Sequence, residues 1–391
     1  MKTKVGVFFG GRSVEHEISV VSALQAIFAL DTKQYEAVPI YITKDGKWYT
    51  GNELLVIDNY KNIQELLKKC KQVYMLPEFG NFQLYKTTVG LFEKNTVTAI
   101  DVAFPVLHGT FGEDGSIQGL FELIGIPYVG CDVLSSAAGM DKIAMKQILK
   151  SNAIPVVNYV WFYEKEWYQQ RDQILCKIQE IGFPVIVKPA NLGSSVGIST
   201  ATNQEELIDA IDLAGNFAKK ILVEKMISQM REINCSVLGD TEEAIPSVCE
   251  EPLKSGDILS YTDKYLSKGS SDKGMSGTQR KIPADLPKQT AEEIQQLALS
   301  TFKVLGCTGV SRVDLLIDKQ NNEIFVNEIN TIPGSLSFYL WEATDKTFTQ
   351  LNNKLIELAL KRNRERENLT ISYDANIFSM GGTSLKLGNK Q

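Results

Sequence analysis

The sequence predicts an α/β fold made of three successive units, and three observations carry that reading. Short apolar β-rich runs alternate with helix-like segments from Lys4 to Met226, the pattern of an open, mainly parallel sheet with covered faces. From Glu232 onward the runs INCSVLG and AIPSVCE follow one another directly and look antiparallel, so a further unit starts there. Finally, 391 residues suggest two to four domains at about 100–200 residues each.

Composition narrows the function. Lys and Arg number 41 and Asp and Glu 47, a formal net charge of −6. That mild acidity speaks against the clustered basic surface of a nucleic-acid binder. Hydrophobic residues at 43% and charged residues at 23% fit a soluble globular chain. The start, MKTKVGVFFGG, has too short an apolar run for a signal peptide, and no stretch approaches the roughly 18 apolar residues of a membrane span. A cytoplasmic protein with no membrane or nucleic-acid partner is expected. The six cysteines show no CxxC pair or metal-ligand spacing and read as small core residues. Only two histidines occur, His16 and His108, which disfavours His-rich zinc sites.

Taken in order, KVGVFFG (4–10) reads as a strand closed by Gly, and a helix follows from Ser13 to about Ala29. YEAVPIYI (35–42) is a second strand. Residues 50–95 look like an irregular insertion around the helical NIQELLKKC, and AIDVAFPVL (99–107) and IPYVG (126–130) resume the strands. A helix bearing Lys142 and Lys146 begins near Ala137. Strands 156–163, 183–189 and 220–226 then alternate with helices 165–181 and 204–218. A Ser/Gly/Lys-rich loop, 260–277, is a candidate flap, since long loops in compact domains are usually functional or disordered. Helix 288–305, strands VSRVDLLI and EIFVNEI, and helix 345–362 close the fold. KRNRERE (361–367) reads as a solvated helix end, and a polar tail follows.

Four motifs carry chemistry. GGRSVEHEISVVSA (10–23) joins a strand to a helix start that favours an anion, with Glu15 in the first turn. PVLHGTFGEDGSIQG (105–119) puts His108 at a strand's carboxyl end, where open α/β sheets place their sites. VIVKPANLGSSVGIS (185–199) ends an apolar strand in Lys188 and follows it with small residues and backbone donors, the makings of a phosphate cradle. In VSRVDLLI and IFVNEINTIPGS, alternation sets Arg312 and Asp314 on one strand face, and Glu328 and Asn330 on one face of the next. Their oxygens suit magnesium with nucleotide phosphates, and two buried acids on facing strands are costly unless paired or metal-bound.

In order, GGRSVEHEIS, LHGTFGEDGSIQG, MDK, VKPANLGSSVG, LVEKM, YTDKY, SRVD and NEINTIPG resemble the D-alanine–D-alanine ligases, a family of the ATP-grasp superfamily. The resemblance implies an N-terminal domain over 1–131, a central ATP-grasp part over 132–228 and a carboxy-terminal part over 229–365, with residues 366–391 as tail. It implies ATP and magnesium (two ions, manganese possible), D-alanine as substrate, a homodimer, and a product used in peptidoglycan.

Carried over to this chain, Lys142 and Lys188 resemble the phosphate lysines. Ser194 and Ser195 belong to the phosphate loop, and Glu224, Lys225 and Met226 lie in the adenine hinge. Glu232 resembles the ribose contact, and Asp314, Glu328 and Asn330 the metal ligands. Glu15 would anchor the first substrate's ammonium beside His108. Lys264 and Tyr265 would close over the site, with Ser194, Tyr265 and Glu15 hydrogen-bonded. Arg312 and the Gly334 N–H would receive the oxyanion. On the acceptor side SLSFYLWE (335–342) departs from the family's usual segment. Tyr339 falls where a small hydroxyl residue is usual, and Ser337 or the Leu340 N–H could still reach a carboxylate. A different acceptor, or a silent nucleotide-binding paralogue, therefore stays open on sequence alone.

Overall fold

The computed structural model describes residues 2–193, 196–253 and 280–372, built around three sheets. The expected flap with Lys264 and Tyr265, the pair Ser194 and Ser195, and the tail from residue 373 lie outside these residues.

The first sheet holds seven strands: β1 (Thr3–Gly10), β2 (Tyr35–Ile42), β3 (Trp48–Thr50), β4 (Lys71–Tyr74), β5 (Gln83–Lys86), β6 (Thr96–Ala99) and β7 (Val102–Val106), in the order β6-β5-β4-β3-β2-β1-β7. β1 is central, pairs parallel with β2 and β7, and reads as a continuous apolar run because both its faces are covered. The sheet is mixed. The stretch expected to be irregular, 50–95, instead adds short antiparallel strands at the β2 edge. Those strands are three or four residues long, too short for alternation to show.

The second sheet is β8 (Tyr159–Tyr163), β9 (Val185–Pro189), β10 (Ser199–Ala201) and β11 (Lys220–Lys225), ordered β10-β9-β11-β8 and antiparallel throughout. Helices Arg171–Ile181 and Gln204–Gly215 bury Ile178, Leu207 and Ile211 against Val185, Val187 and Val223. The third sheet is β12 (Met230–Gly239), β13 (Ala244–Pro252), β14 (Arg280–Lys281), β15 (Gly309–Asp318) and β16 (Ile324–Asn330), ordered β14-β13-β12-β15-β16. Helix Lys288–Val304 covers it through Ile294, Ala298 and Phe302.

Two helix readings change. The segment near Ala137 is two helices, Val133–Met140 and Lys142–Ser151. Asp141 breaks them because its carboxylate accepts the N–H groups of Ile143 and Ala144, an N-cap that starts a new helix at Lys142. The basic helix end is not simply solvated. Arg362 donates to the Gly130 and Tyr128 carbonyls at 2.6 and 2.7 Å, and Arg366 meets Glu122 at 2.6 Å. Together with Leu351, Leu355 and Ile356, these arginines bind helix Phe348–Glu367 to the first unit. Burying each such leucine or isoleucine contributes about 1.5–3 kcal/mol. The carboxy-terminal unit is thereby packed against the N-terminal one. Four cysteines are buried, as expected, while Cys70 is half-buried and Cys176 exposed. No helix among the described residues is long and apolar enough to cross a membrane.

Candidate active site

A cleft lies where the three units meet, and Glu15, His108, Lys142, Glu232, Arg312, Glu328, Asn330, Gly334 and Tyr339 all line it. These residues span most of the sequence, and the fold gathers them in one place.

The floor is the β15–β16 pair. Asp314 stands opposite Glu328, and Arg312 opposite Asn330. Arg312 grips Asp314 through two short bonds, Nε at 2.6 Å and the second nitrogen at 2.8 Å, and Asn330 adds a third donor at 3.1 Å. Although burial works against the guanidinium charge, Asp314 holds the Arg312 pKa well above its usual value. Lys142 reaches Glu328 at 3.2 Å and donates to the Leu192 carbonyl at 2.9 Å. Among the described residues no third His, Cys, Asp or Glu converges here. Two carboxylates and a carboxamide fit a hard divalent cation whose remaining ligands are phosphate oxygens and water, the usual pattern for magnesium. Glu232, on β12, adds negative charge near Asp314.

Behind Lys142 sits a buried ion triad. Glu224 takes Lys146 at 2.6 Å on one oxygen and Lys188 at 2.5 Å on the other. Burial alone would raise the Glu224 pKa, but the two lysines bring it down to about 2. Lys188 also reaches Asn327 at 3.2 Å. The sequence reading put Glu224 in the hinge, and the structure gives its carboxylate to the lysines. The N–H groups of Lys225 and Met226 are likewise spent, on the Asn158 and Pro184 carbonyls. The Lys225 ammonium bonds the Gly182 and Phe183 carbonyls.

The N-terminal wall is Glu15, His108 and their supports. Glu15 precedes helix His16–Phe28, and a Cβ on Gly109 would come within 2.6 Å of its carboxylate and displace it, while the φ of 70° at Gly109 is itself one that glycine adopts without strain. Gly193 of the central unit approaches the same carboxylate. His108 bonds the Ile332 carbonyl through Nδ1 at 2.8 Å and the Ser22 hydroxyl through Nε2 at 2.9 Å. Burial lowers its pKa, so the ring is a neutral strut with both nitrogens engaged. Glu113 accepts the Gly109 and Ile332 N–H groups, and burial, with the Glu15 charge nearby, pushes its carboxyl up to about 8. His16 takes no part in the cleft. It bonds the Gly11 carbonyl and the Tyr41 hydroxyl.

The acceptor-side segment departs from expectation. Ser335, Leu336 and Ser337 form a left-handed turn with φ of 51°, 53° and 51°. The Ser335 N–H donates to Ser22 Oγ at 2.9 Å. Gly334 and Tyr339 line the cleft, whereas Ser337 and Leu340 are fully buried and do not. The Tyr339 hydroxyl donates to Glu250 at 3.1 Å, and Asn234 donates to the same oxygen at 3.0 Å. Arg280 lies 4.1 Å above the Tyr339 ring. Asn234, Glu250 and Arg280 had no signature in the sequence. They sit on β12, β13 and β14, and only the pairing of those strands brings them together.

Residues 4–131 match the family profile described as "D-ala D-ala ligase N-terminus", and residues 148–357 the profile for the "D-ala D-ala ligase C-terminus". The chain is 43% identical over 382 residues to a D-alanine--D-alanine ligase of Caldicellulosiruptor bescii, covering 95% of this chain and 99% of that one. It superposes with a TM-score of 0.77 on the D-alanine-D-alanine ligase of Coxiella burnetii, at 31% identity, covering 94% and 96% of the two chains. The TM-score is also 0.77 with the VanG D-Ala:D-Ser ligase of Enterococcus faecalis, at 32% identity, covering 92% of this chain and 100% of that one. Both halves of one family are matched in order and over nearly the full length, and the chain belongs to the D-alanine–D-alanine ligase family.

Proposed function

We propose that this protein is an ATP-dependent ligase that joins two D-alanines into D-alanyl-D-alanine for peptidoglycan synthesis. The observation that carries this is the single cleft, which places Glu15, the Lys142–Glu328 pair, the Arg312–Asp314 pair and Gly334 around one space. Overall likeness does not choose the acceptor, since the VanG ligase superposes as well as the Coxiella ligase. D-alanine is the acceptor named in the curated relatives, at 39–43% identity.

Glu15 anchors the ammonium of the first D-alanine and so aims its carboxylate toward the floor. That carboxylate oxygen attacks the γ-phosphorus of ATP, the bond to the β-phosphate oxygen breaks, and ADP leaves. Lys142 and Lys188 neutralise the phosphates during this anion-on-anion step. Asp314, Glu328 and Asn330 would hold two magnesium ions, which supply charge neutralisation between phosphate oxygens. The amine of the second D-alanine then attacks the acyl phosphate carbonyl. Arg312 and the Gly334 N–H receive the oxyanion, phosphate departs, and the amine gives up its proton. Removing one such donor typically costs about 10²–10³ in turnover. The protein acts as a cytoplasmic homodimer in this reading.

The test is purified protein with ATP, magnesium and D-alanine. Phosphate and D-alanyl-D-alanine should appear in equal amounts, with L-alanine inert. Phosphate release without dipeptide, or no ATP turnover, would overturn the assignment.

A further inference from the structure

Among the described residues Arg280 and Arg312 line the cleft, and the reaction as proposed uses Arg312. The acceptor brings a carboxylate one carbon away from its attacking amine. When the amine reaches the carbonyl held by Arg312 and Gly334, that carboxylate comes with it and a nearby cation would offset its charge. Tyr339, Glu250, Asn234 and Arg280 line the same cleft.

We propose that Arg280 is the receptor for the acceptor's carboxylate, with Glu250 and Tyr339 as its positioning residues. This deepens the ligase reading and rests on it. Arg280 is fixed at three levels. Its backbone pairs with Pro252 in the β13–β14 ladder, its guanidinium carbon stands 4.1 Å over the Tyr339 ring, and one nitrogen meets Glu250 at 3.3 Å. A guanidinium held over a ring and against a carboxylate keeps its position, and its planar fork can bind a carboxylate through two parallel bonds. The Tyr339 ring is held in turn, since its hydroxyl and the Asn234 amide share one Glu250 oxygen.

Arg312 and Asp314 are joined by two bonds of 2.6 and 2.8 Å, and one Arg280 nitrogen meets Glu250 at 3.3 Å. Tyr339 therefore does more than fill a position that sequence comparison expects to be small. It is the platform on which a second cation stands, while Ser337 and Leu340 are fully buried and outside the lining residues.

The test compares D-alanine with D-alaninamide as acceptor, since the amide has an amine but no carboxylate and cannot serve as donor. Wild-type enzyme is assayed first, and absence of dipeptide there would sink the ligase reading itself. In Arg280→Gln the acceptor KM for D-alanine should rise about 10–100-fold, the worth of a charge-assisted pair. The KM for ATP and the kinetics with D-alaninamide should stay close to wild type, so the preference for D-alanine collapses. D-serine, which keeps the carboxylate, should suffer as D-alanine does. An equal loss with D-alanine and D-alaninamide would make Arg280 only a counterion for Glu250 and overturn the proposal. Arg280→Lys keeps the charge without the fork and guards against misfolding of the first variant. It too should raise the D-alanine KM, and an unchanged KM would overturn the proposal.

Discussion

Glu328 faces Asp314 directly across β15 and β16, and each carboxylate has a cation against it: Lys142 for Glu328, Arg312 for Asp314. Two partly buried acids so close are costly unless their charge is offset. Here Lys142 and Arg312 supply that offset. Glu328→Gln keeps shape and removes charge. Ligation should fall by more than about 100-fold, beyond what losing an outer-shell metal contact costs, with the unfolding temperature little changed. Near-normal turnover at saturating magnesium would remove the metal reading.

The Lys146–Glu224–Lys188 triad predicts a pH signature. Glu224 is held at about 2 against an ordinary carboxyl of 4.5. Above the unfolded value both states are ionised and the stabilisation is fully present. It is lost as pH falls from about 4.5 toward 2, because the unfolded chain binds the proton first. Lys146→Met removes one of the two cations, so the Glu224 pKa moves back up and this loss shrinks. Urea midpoints at pH 5 and pH 3 should therefore differ less in the variant than in the wild type. An identical or larger difference would show that Lys146 does not hold Glu224 ionised.

Much of this site was legible because strand alternation is a geometric rule. Arg312 with Asp314, and Glu328 with Asn330, were placed on common faces by period two alone, and the register then set one pair against the other. Glu15 and His108 were legible as loop residues beside glycines. What was missed has no such rule. Glu250 and Arg280 meet through the β13–β14 pairing, and no local pattern says which strand comes to lie beside which. Glu224 looked like part of a hinge because its neighbours do, but its burial between Lys146 and Lys188 decides what its carboxylate holds.

Ser22 lies far from Ser335 in sequence, yet it fixes the turn that follows Gly334. With Nδ1–H of His108 donating to Ile332, Nε2 accepts the Ser22 proton, and Ser22 Oγ is left to accept the Ser335 N–H. The turn needs this support, since a left-handed backbone costs about 1–2 kcal/mol for each L-residue. Ser22→Ala leaves two buried groups without their partner, at roughly 1–3 kcal/mol. Stability should drop by that amount, and the turnover of D-alanine to dipeptide should fall while the KM for ATP stays near wild type. Ser22→Thr, which keeps the hydroxyl, should recover much of both. If Ser22→Ala kept wild-type stability and turnover, the turn would be held by its own packing.

Tyr339 contributes a ring and a hydroxyl, and two substitutions separate them. Its pKa is pushed up to about 12 by burial and by the Glu250 charge, so the hydroxyl stays a donor throughout the working pH range. Tyr339→Phe removes that donor but leaves the surface beneath Arg280, and Glu250 keeps Asn234 and Arg280. The acceptor KM should change by a few-fold, in line with roughly 0.5–1.5 kcal/mol for one hydrogen bond. Tyr339→Ser removes the platform as well, and with it a cation–π contact of about 0.5–2 kcal/mol. Its acceptor KM should rise clearly further, while the KM for ATP stays near wild type because Lys142 and Glu328 are untouched. Steady-state kinetics on both variants, with the second D-alanine varied, check the order. Were the phenylalanine variant as impaired as the serine one, the hydroxyl would be the working part and the ring would not be a platform.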